Sequence, residues 1–185
     1  MTGKVRVTGP IIREDGGMAV VAGAAYDAGP WESFAVAEVG AAAALSGLLV
    51  VAASINIARI IELPTVVSRL GAALVLFATM LIVGTILLVP DQPGWLVGVE
   101  IAAVGLAATL GVLRLRGTGT ADPAHRVSAT VVAALGAGAA GLIFLGGLFC
   151  ALQVLGGLYW LVPGVILGFS VGLVNAWVAL IEILR

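Results

Sequence analysis

Charge is what this chain lacks most. Of its 185 residues only 10% are Asp, Glu, Lys or Arg, and nine basic side chains against ten acidic ones leave a formal net charge of −1. No basic tract is dense enough to track a phosphate backbone, so nucleic acid is not an expected partner. Histidine and cysteine are scarcer still, with one of each, His125 and Cys150. A single cysteine cannot close a disulfide within the chain and leaves the redox compartment unread. It suits a buried position as a small apolar side chain. One His and one Cys also argue against a His/Cys zinc site within the chain. No cofactor and no metal are expected.

Apolar residues fill the space that charge leaves. They make up 61% of the chain, and the mean hydropathy is +1.18, outside the range of soluble domains. Five runs each reach the roughly 20 residues that cross a bilayer. The first extends from about Ser33 to Ile60, ahead of Pro64. The second extends from about Val66 to Val89 and stops at the turn sequence Pro90-Asp91-Gln92-Pro93-Gly94. The third covers Trp95 to Leu115, and a polar loop, Arg116 to Arg126, follows it. The fourth covers Val127 to Leu152, and after the Gly156-Gly157 turn the fifth covers Tyr159 to Leu184. In lipid every backbone group must be paired within its own segment, which makes helix the expectation for each run. The alternation of a membrane β-barrel is absent. The expected fold is all-α: a polytopic bundle of five transmembrane helices over residues 31–185, behind an external, loosely ordered tail of residues 1–30.

The few basic residues orient the bundle. Arg59 and Arg69 flank the first connection, Arg114, Arg116 and Arg126 the third, and Arg185 ends the sequence; the second and fourth connections carry none. The positive-inside rule places the arginine-bearing loops in the cytoplasm, the amino terminus outside and the carboxyl terminus inside. Lys4, Arg6 and Arg13 lie about 20 residues or more before the first span, at the edge of the distance over which the rule acts. Trp31, Trp95, Tyr159 and Trp160 fall at the expected outer ends, where such rings favour headgroups. The tail is too short for a core of its own. It has no convincing cleavable signal, since the apolar stretch Ala19–Ala25 is short and Asp27 interrupts it. Met18 offers an alternative start.

Two motifs match and are set aside. Gly136-Ala137-Gly138-Ala139-Ala140-Gly141 has the dinucleotide spacing, but that chemistry needs a strand, a turn and a helix start, not the inside of an apolar span. Gly168-Phe169-Ser170-Val171-Gly172 has the nucleophile-elbow spacing, yet no base exists at that depth, and His125 is expected in a cytoplasmic loop.

Small residues have a better use. Gly164, Gly168, Gly172 and Ala176 lie four apart along one face of the fifth span. Gly40, Gly47 and Ser54 lie seven apart on the first, with Ala43 and Ala44 between. Such rows let helix backbones approach closely in a bilayer. Polar residues within spans are functional candidates by default. Glu38 and Glu100 each sit about five positions inside an expected outer boundary. If their helices face each other, the two carboxylates form one cation or proton site; otherwise each is solvated by headgroups. A second group lies in the cytoplasmic half: Ser54, Asn56, Arg59 and Glu62 on the first span, Asn175 and Glu182 on the fifth. Arg59 is expected to pair with Glu62 at i+3 or with Glu182 across helices, and Asn56 and Asn175 to hydrogen-bond across the bundle. This group reads as polar glue between spans one and five, with a transport pathway as the other reading.

The first span is also the most individual stretch: Trp31-Glu32-Ser33-Phe34, then Gly40-Ala41-Ala42-Ala43-Ala44-Leu45-Ser46-Gly47-Leu48-Leu49, then Ser54-Ile55-Asn56. With Leu158-Tyr159-Trp160 and Asn175-Ala176-Trp177 through Glu182-Ile183-Leu184-Arg185, it resembles a family of small, uncharacterised actinobacterial integral membrane proteins. Members are sometimes labelled modulators of the membrane protease FtsH, and no catalytic residues come with that label. Ala35 departs from the family, where a second aromatic is expected beside Phe34. The resemblance implies a multi-pass protein of the bacterial plasma membrane and no established activity.

Three classes of function then compete. A non-enzymatic accessory or modulator, packing in the bilayer against itself or a membrane-protein partner, is favoured by the small-residue faces and by short loops. An oligomeric ion channel or small transporter would use the Glu and Asn residues, although no inverted repeat is visible. An intramembrane enzyme lacks a nucleophile with a base.

Overall fold

A computed structural model describes residues 23–115 and 123–184, the side chains of 123–129 and of Leu184 aside. Residues 1–22 of the expected tail (Met18 among them), most of the loop Arg116–Arg126, and Arg185 lie outside the described residues. The five apolar runs are five long helices: α1 (Glu32–Ile55), α2 (Pro64–Leu87), α3 (Gly94–Leu115), α4 (Pro123–Leu152) and α5 (Leu161–Leu184). Each is long and apolar enough to cross a membrane, and no strand occurs among the described residues.

Local chemistry explains where the helices stop. Pro64 opens α2 at a position whose missing N–H costs nothing. Pro123 opens α4 four residues before the expected Val127, and so takes His125 into the first helical turn rather than a loop. α4 ends in a tight reversal in which Gln153, Leu155 and Gly156 adopt φ of 53°, 52° and 82°. α1 ends at Ile55, short of the expected Ile60. Ser54 Oγ donates to the Val50 carbonyl at 2.8 Å and Asn56 Nδ2 to the Ala52 carbonyl at 2.9 Å. Side chains that bond back to carbonyls compete with the helical ladder. The helix breaks at Asn56, and one separate turn, Ile57–Ile60, follows.

α2 is the central helix. It packs against α1, α3 and α5, and half of its apolar stretch is buried against 22% of that in α1. α1 and α3 take opposite sides of it. Gly84 of α2 abuts Ala35 and Val39 of α1, whereas Val75 lies against Gly111 of α3. The nine residues from 75 to 84 make about two and a half turns at 3.6 residues per turn, which points them in opposite directions.

The closest pairing joins α3 to α4. A Cβ built at Gly105 would lie 2.5 Å from the Phe144 nitrogen and 2.7 Å from its Cα. One at Gly98 would strike the backbone of Ala151, and one at Gly147 the backbone of Ala102. Only glycine permits backbones this near, and in a bilayer such approach supplies the dispersion contact that holds helices together.

Tyr26, Trp31, Trp95, Tyr159 and Trp160 gather at one end of the bundle, and Arg59, Arg69 and Arg114 at the other. At the aromatic end, residues 23–30 are not a loose tail. The Leu158 N–H donates to the Ala25 carbonyl at 2.9 Å, Trp31 Nε1 to the Ala24 carbonyl at 2.7 Å, and the Gly156 N–H to the Tyr26 hydroxyl at 3.4 Å. The physical reason is that the α4–α5 reversal leaves amides facing outward, and this segment brings acceptors to them. Trp31 is buried and stacks edge-on against Phe34 and Tyr159, with centroids 5.7 and 5.1 Å away. The lateral surface is apolar: Leu48, Ile55 and Trp177 are 69%, 78% and 67% exposed.

Candidate functional site

Three polar residues are buried among the described ones: Glu38 on α1, Thr79 on α2 and Asn175 on α5. Thr79 is satisfied within its own helix, its hydroxyl donating to the Val75 carbonyl at 2.7 Å. Glu38 is different. It is 4% exposed, and neither carboxyl oxygen has a hydrogen-bond partner. It follows Ala35 by three positions and precedes Ala42 by four, and both are fully buried, so all three lie on the face of α1 that meets α2.

Glu38 and Glu100 do not form one site. Glu100 belongs to α3, across α2 from α1, and it is half-buried and accepts a bond from Gln92 Nε2 at 3.3 Å. Sequence spacing equalised their depths; the interposed helix separates them laterally.

The polar group at the arginine end is also arranged differently. Arg59 pairs with Glu62 at 3.3 Å, but both are exposed and the pair lies within one connection. Glu182 is reached by Arg69 of α2 instead, at 3.8 Å and less exposed. Arg69 is the member that spacing within α1 and α5 did not reveal. Asn56 bonds to the Ala52 carbonyl of its own helix rather than across the bundle. Asn175 is buried on the side of α5 that carries Gly168 and Gly172, which meet α2. Ser54 is exposed and bonded to its own helix. Spans one and five are thus each fastened to α2 rather than glued to each other by these residues.

The row on α5 faces inward. Gly164 meets Ile143 and the Ala139 carbonyl of α4, Gly168 meets the Met80 methyl of α2, and Gly172 lies 2.5 Å, at its Cβ position, from the Phe77 ring. Ala176 packs against the apolar cluster that contains Leu49, Phe77 and Ala179. The tighter set is Gly98, Gly105 and Gly147, and there too small residues recur at helical spacing, four then three apart in Gly98-Ala102-Gly105 and four apart in Gly147-Ala151. The small residues of α1 do the opposite. Ala37, Gly40, Ala44, Gly47 and Ser54 are exposed along one stripe, and nothing lies within 4 Å of a Cβ placed at Gly40 or Gly47.

What this arrangement can do chemically is limited. The two rejected motifs lie inside helices, and Ser170 Oγ donates to the Ile166 carbonyl at 2.8 Å. No group of three or more His, Cys, Asp or Glu is placed to hold a metal ion among the described residues. An open groove of about 390 Å³ beside the α1 break is lined by Val50, Ala53, Ser54, Ile57 and Leu74, with no charged group. No protein-family model, no curated protein and no solved structure matches the chain. The architecture is that of a multi-pass helical membrane protein.

Proposed function

We propose that this is a non-enzymatic protein of the bacterial plasma membrane that acts by lateral helix packing, in an accessory or modulator role. The observation that carries this reading is the open face of α1. The helix is fastened to α2 on one side and presents Ala37, Gly40, Ala44 and Gly47 on the other, a smooth strip against which a second transmembrane helix fits. The resemblance to the actinobacterial family with its modulator label agrees with such a role. The arginine-bearing end is proposed as cytoplasmic, on the positive-inside rule.

The test is association in lipid nanodiscs or by crosslinking in native membranes. Gly40→Leu with Gly47→Leu should abolish the assembled species, whether a homo-oligomer or a complex with another membrane protein, while leaving thermal unfolding of the protomer near that of the parent. Unchanged assembly in the double variant would sink the reading. An oligomeric ion channel or small transporter is the second reading, and the unpartnered Glu38 and the buried Asn175 within the bundle favour it. Cation flux through vesicles that Glu38→Gln removes would bring it to first place.

A further inference from the structure

We propose that Glu38 is a proton-binding site buried in the membrane, and that its neutral acid is the form in which α1 is held against α2. The argument begins with what surrounds it. Both carboxyl oxygens are enclosed and unpartnered, and the residue is 4% exposed. The part of α2 it faces, Met80 to Leu87, contains no ionisable side chain, and neither does α5 from Leu161 to Leu184 except Glu182 at the arginine end. Among the described residues, the remaining titratable groups near this end are Asp27 and Glu32 ahead of the helix, Tyr26 and Tyr159 beside the α4–α5 reversal, the buried Cys150 of α4 and, beyond α2, Asp91 and Glu100, and none of these is a cation. Between Arg59 and Arg114 the only basic residue is Arg69, which lies at the other end of α2 and reaches Glu182.

Among the described residues, an ionised carboxylate thus has neither a counter-ion nor a hydrogen-bond donor here. An isolated buried charge carries a desolvation cost that proteins avoid by neutralising the group. A metal cation is a poor substitute for the proton, because one carboxylate supplies too few ligands. The proton needs only this one group. Losing it would leave an unpaired charge in the α1–α2 seam, and the seam can answer. α1 is the least buried span, its packing is chiefly on α2, and it is uncoupled from the next connection at Asn56. Deprotonation therefore favours parting of α1 from α2, and docking favours proton uptake. This coupling is independent of whether the outer face of α1 binds a second helix.

Hydrophobic carbodiimides test it directly, since they react with a carboxylic acid in its neutral form from within the lipid. Wild-type protein in vesicles would be treated with dicyclohexylcarbodiimide over a pH series, and its peptides read by mass spectrometry. We expect an adduct on the Glu38 peptide that declines as pH rises and is lost in Glu38→Gln. In parallel, thermal unfolding should show wild-type stability falling with pH above the ordinary glutamate range near about 4.3. The sign follows from linkage: the folded state binds the proton that the unfolded state releases, so stability decreases as pH increases. Glu38→Gln should lack this slope. Absence of the Glu38 adduct at every pH at which the protein is folded, or the same pH slope with and without the carboxyl, would overturn the proposal. The labelling arm needs no variant, so a misfolded Glu38→Gln leaves it decisive.

Discussion

Glycines of one chemical type do different jobs here, and their neighbours determine which. At Gly105 a methyl group meets backbone atoms of Phe144, which cannot step aside. At Gly168 it meets the terminal methyl of Met80, the end of a flexible side chain. At Gly138 it meets nothing within 4 Å. Gly105→Ala should therefore lower stability by about 1–3 kcal/mol, as overpacking does. Gly168→Ala should cost less, and Gly138→Ala should stay within about 0.5 kcal/mol of the parent. Thermal unfolding in one detergent orders the three; a Gly138 effect as large as that of Gly105 would contradict the α3–α4 contact. The ion pairs permit a similar contrast. Arg59–Glu62 is exposed, and pairs of that kind contribute little. Arg69–Glu182 joins two helices and is more enclosed, so Glu182→Ala should destabilise more than Glu62→Ala in the same assay.

The helices differ in how firmly each is held. α3 and α4 are locked backbone to backbone, α2 is surrounded, and α1 rests chiefly on α2. Local opening follows contact density. Amide exchange in nanodiscs should therefore release α1 before α3 and α4, beginning at the Asn56 break; uniform protection across all five helices would refute this. The segment 23–30 adds a fastening at the other end of α1. Gly157 adopts φ of 43°, and a Cβ there would strike the Ala25 carbonyl and the Tyr26 ring. Gly157→Ala should detach that segment, seen as faster exchange or proteolysis around Tyr26, with the α3–α4 pair undisturbed.

The bundle as one object is asymmetric along its long axis. Asp27, Glu32 and Asp91 mark the aromatic end, while Arg59, Arg69 and Arg114 mark the other. If the arginine end is cytoplasmic, a cysteine at Asp91 should react with an impermeant reagent added to intact cells and one at Glu62 should not, both in a Cys150→Ala background. The reverse pattern would invert the proposed topology without altering the fold.

Helix number and the polar turns between helices were legible from residues alone, because a bilayer-length apolar segment has to pair its own backbone and Pro64, Pro90-Asp91-Gln92-Pro93-Gly94 and Gly156-Gly157 punctuate it. Azimuth was not. Glu38 and Glu100 lie on opposite sides of α2; Glu182 meets Arg69 rather than Arg59; the α5 glycines face α2 and α4 while those of α1 face outward. Every span here is apolar nearly all round, so no polar face announces which side turns inward. That side is settled only where backbones can come close, at Gly84, Gly98, Gly105 and Gly147, and such fits depend on two helices at once. The order of residues 23–30 is a tertiary matter for the same reason: their acceptors serve amides more than a hundred positions away in the chain, a pairing that exists only once α4 and α5 have folded back.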